Sequence, residues 1–103
     1  SGGAIVEPHL NAILLTPIAP HSLTVRPFIA HGDSEITVVM RSDYSSVNLF
    51  VDGPRETHCL APDCLIRVRK AKKTIKLIRS QNRSYYEVLQ TKLMLGERTK
   101  REM

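Results

Sequence analysis

The chain is predicted to be mainly β, a sandwich-like module with one C-terminal α-helix. Three observations predict it. Short stretches of alternating apolar and polar residues recur along most of the 103 residues, and a period of two belongs to half-buried strands. Prolines and glycines fall in the gaps between those stretches, where turns are needed. One segment, near the end, carries apolar residues at helical spacing instead. The length fits one small domain or a piece of a larger one. A hydrophobic content of 42% is enough for a core, which three tyrosines, two phenylalanines and no tryptophan make mainly aliphatic.

The first element is "AILLTPI" (12–18), an apolar run ended by Pro17 and therefore read as a buried strand. It runs into "TPIAPHSLTVRPF" (16–28), whose prolines at 17, 20 and 27 suit neither a helix nor a central strand. In "PFIAHGDSE" the triplet Gly32-Asp33-Ser34 signals a turn. "EITVVMR" (35–41) places Ile36, Val38 and Met40 on one face, and "SVNLFVDG" (46–53) does the same with Val47, Leu49 and Val51. Asp52-Gly53 then marks a turn, although Pro54 argues against a tight two-residue hairpin. "CLIRVRK" (64–70) turns Cys64, Ile66 and Val68 inward, and "KTIKLIR" (73–79) repeats the pattern with Ile75 and Leu77. The short link Ala71-Lys72 predicts that these last two strands form a hairpin.

The helix begins at Ser84 as N-cap, with Glu87 completing a capping box. Tyr85, Val88, Leu89 and Leu93 follow at helical spacing, and Gly96 is placed as the C′ stop. Residues 97–103, "ERTKREM", form a polar tail with nothing to bury. The expected division is thus a domain over 1–96 and a tail over 97–103.

Fifteen basic against ten acidic residues leave a net charge of +5. That charge suits a polyanion or a phosphate-bearing ligand. Its concentration in 67–79 and in the last seven residues equally suits solvated strand faces and a loose tail. No aromatics are interleaved with a basic groove, which argues against a nucleic-acid partner. Two cysteines, Cys59 and Cys64, make no disulfide framework and are compatible with a reducing cytosol. No apolar run approaches the roughly 18–20 residues that span a bilayer. "SGGAIVEP" lacks the basic start of a secretory signal. A cytoplasmic location without a membrane partner is expected. The opening Ser1-Gly2-Gly3, without an initiator Met, reads as an expression scar or as a cut point in a longer chain.

Chemistry-bearing residues are sparse. "HCLAPDC" (58–64) offers His58, Cys59, Asp63 and Cys64, but the spacing is no standard zinc pattern and no second Cys/His pair completes a tetrahedron. No metal site is assigned. Ser22 directly follows His21, and sequence neighbours rarely face each other as nucleophile and base. There is no P-loop, and Ser1-Gly2-Gly3 is too short to cradle phosphate. No catalytic residue is assigned either. Two binding surfaces remain: His21-Ser22 with Arg26 on proline-stiffened backbone, and Asp52-Gly53 at a strand end. Stiff loops lose little entropy on engaging a ligand. The plainer readings are a histidine that caps a turn and an ordinary Asp-Gly turn.

"GGAIVEPHLNAILLTPIAPHSLTVRPF" resembles the C-terminal domain of NAD kinases. That family carries a GG-x-I-V-x-P segment and then T-P-I-x-P-H-S-L-x-x-R-P. The matching residues are Gly2, Gly3, Ile5, Val6 and Pro8, then Thr16-Pro17-Ile18, Pro20-His21-Ser22-Leu23 and Arg26-Pro27. The family's V-D-G strand end matches Val51-Asp52-Gly53, and its closing aromatic helix resembles "SYYEVLQTKLMLGE" (84–97).

The resemblance implies phosphorylation of the adenosine 2′-hydroxyl of NAD, giving NADP, with ATP or inorganic polyphosphate as donor and a divalent cation such as Mg. It implies a Rossmann-like N-terminal domain, an all-β C-terminal domain and homo-oligomers, either dimers or tetramers. The family's catalytic aspartate lies in a GGDG motif, and further dinucleotide contacts lie in N-E/D and G-S-T-A-Y-S motifs. None of the three occurs in these 103 residues. The chain therefore reads as a C-terminal piece cut after G-S-T-A-Y-S, holding part of the NAD site and expected to be inactive alone. Carried over by position, His21 and Ser22 border the dinucleotide, and Asp52-Gly53 approach the same pocket. Arg26 either faces a phosphate or holds the loop through carbonyl hydrogen bonds, the second being favoured. The family's D-G-Q reads Asp52-Gly53-Pro54, so no contact is carried over for the third position. Two other readings compete: the C-terminal domain of a related diacylglycerol- or sphingosine-type lipid kinase, and a non-enzymatic β-sandwich interaction module.

Overall fold

The computed structural model describes residues 1–41 and 46–93. It holds six strands, β1 (Ala12–Leu15), β2 (Phe28–His31), β3 (Ile36–Val39), β4 (Val47–Val51), β5 (Glu56–Leu60) and β6 (Leu65–Val68), and one helix, α1 (Tyr85–Leu93). Among the described residues the protein is mainly β with a single C-terminal helix, as its alternation and capping box predict. The strands pair as three antiparallel two-stranded ladders, β1–β2, β3–β6 and β4–β5. All six belong to a unit spanning Ser1–Lys72, and α1 to a second spanning Lys73–Met103.

β1 and β2 pair from Ala12↔His31 to Leu15↔Phe28. Pro17 and Pro27 stand just outside the two strand ends, where a missing N–H costs no ladder bond. Residues 16–27 are therefore the loop of this hairpin.

β3 takes β6 as its partner, with Ile36↔Val68, Val38↔Ile66 and Val39↔Leu65 in register, and Met40 N donates to Cys64 O at 3.0 Å beyond the ladder. This corrects the hairpin expected between 64–70 and 73–79, and 73–79 forms no strand. Two-residue hairpin loops favour residues that adopt positive φ, such as Asn-Gly, and Ala71-Lys72 is not such a pair. β3 instead offers Ile36 and Val38 to Val68 and Ile66 on one face. Ile75 and Leu77 are left 89% and 84% exposed.

β4 and β5 pair from Val47↔Leu60 to Val51↔Glu56, with residues 52–55 as the turn. β5 was not foreseen. Its sequence, ETHCL, puts polar groups on both faces and carries no alternation to find.

Strand parity follows the apolar pattern. Ile36, Met40, Val47, Leu49, Cys64 and Ile66 are half-buried, as their assignment to inward faces requires, whereas Val38, Val51 and Val68, assigned to the same faces, are exposed. Neighbours of opposite parity stand out further: Val39 is 64% exposed against 41% for Val38, and Phe50 57% against 40% for Val51. Among the described residues, however, no hydrophobic side chain is fully buried.

α1 starts as predicted. Ser84 Oγ accepts from Glu87 N at 3.2 Å, and Ser84 N donates to Glu87 Oε2 at 2.7 Å. The reciprocal pair satisfies two orphan donors of the first turn. Glu87 in the first turn and Lys92 in the last both complement the helix dipole. Gly96, the tail over 97–103 and the boundary between them lie outside the described residues.

Candidate functional site

The 16–27 loop is built around one small turn. Val25 N donates to Ser22 O at 3.4 Å. Ser22 Oγ accepts from Thr24 N at 3.3 Å and shares a 2.7 Å hydrogen bond with Thr24 Oγ1. Serine hydroxyls favour such local turns because they stand in for a backbone partner. Arg26 folds back over the same turn and donates through Nη1 to Leu23 O at 2.5 Å and to Val25 O at 3.3 Å. Its guanidinium thus holds the loop through carbonyls. Ala19 sits at φ 47°, a left-handed conformation that a Cβ disfavours, immediately before Pro20. The result is a stiff, exposed loop in which the His21 ring has no hydrogen-bond partner among the described residues. Ser22, rather than His21, caps the turn.

Asp52 and Gly53 lie beyond β4 at φ 51° and 95°. Asp tolerates the left-handed region better than most residues, and Gly enters it without a Cβ penalty. Open space surrounds the position of a Cβ at Gly53, so the need for glycine there is conformational. Thr57 Oγ1 donates to Pro54 O at 3.2 Å and braces the turn. His21, Ser22 and Arg26 thus share one loop, and Asp52 with Gly53 occupies another. No hydrogen bond or ion pair joins the two among the described residues.

The 58–64 cluster disperses. His58 Nε2 lies 3.1 Å from Glu56 Oε1, Cys59 is exposed and Cys64 half-buried, and both thiols are free. Asp63 sits at φ 63° in the turn leading to β6. Among the described residues no three His, Cys, Asp or Glu side chains come together as metal ligands.

Sequence reasoning missed a cluster at the other end of the β1–β2 hairpin. Asn11 Nδ2 donates to Asp33 Oδ1 at 3.1 Å, and Lys70 Nζ donates to Asn11 Oδ1 at 2.8 Å. Only the turn at Gly32-Asp33 was legible, because nothing local ties Asn11 to a lysine 59 positions away. Asn11 and Lys70 also line an open cleft of about 440 Å³ with Leu10, Ile13, Val68 and Arg69.

Residues 1–80, which hold all six strands and both candidate loops, match the family model described as the ATP-NAD kinase C-terminal domain. The chain belongs to that family. It is similar to an NAD kinase of Geotalea daltonii, 39% identical over 98 residues that cover 95% of this chain and 34% of the relative. An NAD kinase of Geobacter sulfurreducens is 42% identical with the same coverage. One of Methanosarcina acetivorans is 33% identical over 93 residues, 90% of this chain and 34% of that protein. The chain spans about a third of the length of the curated relatives it matches. No solved structure matches it. In this NAD kinase C-terminal domain the T-P-I-x-P-H-S-L-x-x-R-P run is the β1–β2 loop, and V-D-G is the end of β4 with its turn.

Proposed function

We propose that this chain is the NAD-binding and subunit-assembly part of an enzyme that phosphorylates the adenosine 2′-hydroxyl of NAD to NADP. The observation that carries the reading is the family match over residues 1–80, which includes the loop where the His21 ring has no hydrogen-bond partner among the described residues. His21 borders the dinucleotide, with Ser22 and Arg26 shaping the wall behind it and Asp52-Gly53 forming a second approach. Ser22 and Arg26 act mainly by stiffening, since their polar groups are engaged within the loop. A wall prepared in this way fixes the adenosine half and lets the 2′-oxygen meet its base and donor in line.

Phosphoryl transfer also needs a base and charge neutralisation at the donor. The described residues bring no three metal ligands together, and no GGDG occurs in the sequence. ATP or polyphosphate with its divalent cation is assigned to the GGDG-bearing region that the family resemblance implies. On this reading the chain alone is expected to be inactive, and the active protein is expected to be a cytoplasmic homo-oligomer. Among the described residues no helix is long and apolar enough to cross a membrane.

The test uses a full-length protein carrying this chain, assayed with NAD, diacylglycerol or sphingosine as acceptor and with ATP or polyphosphate as donor. NADP formation is expected, and His21→Ala should raise KM for NAD more than it lowers kcat. Phosphorylation of a lipid with none of NAD would overturn the reading.

A further inference from the structure

We infer that Asn11 and Lys70 are positioning residues for the 16–27 loop, clamping its hairpin to the end of β6. The inference rests on the proposed role of that loop as a wall of the NAD pocket. Asn11 precedes β1 and Gly32 follows β2, so the two face each other at the end of the ladder opposite the loop. Gly32 N donates to Asn11 O at 2.8 Å and closes that end. The Asn11 amide is then used on both sides, its nitrogen on Asp33 at 3.1 Å and its oxygen on Lys70 at 2.8 Å. Asparagine suits the position because it offers a donor and an acceptor on one short side chain. An aspartate would have no donor for Asp33 and would repel it.

Gly32 completes the clamp sterically. It is buried, and a Cβ there would lie 2.5 Å from Asn11 Cγ and 2.9 Å from the Asn11 backbone carbonyl carbon. The chain crosses Asn11 too closely for any side chain. The mechanical need is clear from the hairpin itself. Four residue pairs must hold a loop of residues 16–27, and a two-stranded ladder is marginal by itself while a long loop adds closure entropy. Lys70 lies just beyond β6, so its bond to Asn11 fixes where the β1–β2 hairpin, and hence His21, stands relative to the β3–β6 ladder. All of these residues lie within Ser1–Lys72.

The experiment compares Asn11→Ala, Lys70→Met, Lys70→Arg and Gly32→Ala with His21→Ala in a full-length protein carrying this chain. It measures amide hydrogen exchange across 21–26 without ligand and steady-state kinetics in NAD. Asn11→Ala, Gly32→Ala and Lys70→Met should speed exchange in the loop and raise KM for NAD about threefold to tenfold, with kcat within about twofold. Lys70→Arg keeps a donor to Asn11 and should restore both readouts. Lys70 is exposed, so Lys70→Met remains informative even if Gly32→Ala fails to fold. Unchanged loop exchange in Asn11→Ala and Lys70→Met overturns the clamp whatever the kinetics. Faster exchange with unchanged KM, in a protein where His21→Ala does raise KM, overturns its positioning role. If His21→Ala leaves KM unchanged, it is the pocket reading that fails, and loop exchange alone then decides whether the clamp orders the loop.

Discussion

Ala19 is the residue whose conformation is hardest to reconcile with its identity. A methyl group at φ 47° is disfavoured, and the loop tolerates it between Ile18 and Pro20 because prolines on either side limit the alternatives. Ala19→Gly is expected to stabilise the protein by roughly 1 kcal/mol, read by urea denaturation, with the gain offset in part by a freer unfolded chain. Gly53→Ala should act in the opposite sense. At φ 95° it should cost about 1 kcal/mol or more, although space for the methyl is available. Arg26 donates to the carbonyls of Leu23 and Val25, the alternative favoured for it over a phosphate contact. Arg26→Met removes both bonds and should loosen residues 22–26, which hydrogen exchange will detect. The contribution of Asn11 was not legible, because its two partners lie 22 and 59 residues away in the chain.

The elements differ in how much of their stability is local. α1 carries its start signal within four residues, and Ser84→Ala should cost about 1 kcal/mol of helix stability, checked by the exchange rate of the Glu87 amide. Strand parity was equally local: Ile36, Leu49 and Ile66 are half-buried as expected, while Val38, Val51 and Val68 on the same faces remain exposed. Pairing was not local. β6 had two apolar candidates, the neighbouring 73–79 and the distant β3, and the distant one won. A steric test follows from the register: Val38→Pro removes a ladder donor opposite Ile66 and should break β3–β6, whereas Ile75→Pro, in a segment without a ladder, should be tolerated in thermal melts. β5 shows the reverse failure. With polar residues on both faces it becomes a strand because β4 supplies the partner and Asp52-Gly53 the turn.

Across the described residues, the apolar faces that alternation creates are half-covered and none is sealed. Sheets of two strands cannot bury a face on their own, and a stable fold needs a second layer. The 103-residue chain by itself is therefore expected to bind a hydrophobic dye and to sediment as species larger than a monomer. Full-length protein carrying it should not bind the dye. By itself the sequence determined the β character, the strand faces, the capped helix and the proline-stiffened loop bearing His21. Each of these depends on residues within a few positions of one another, where period, capping and turn chemistry act. Only the tertiary structure decided that β6 joins β3, that 56–60 is a strand, and that Asn11 meets Asp33 and Lys70. Those outcomes are competitions between similar segments far apart in the chain, and they turn on backbone geometry that no local pattern records.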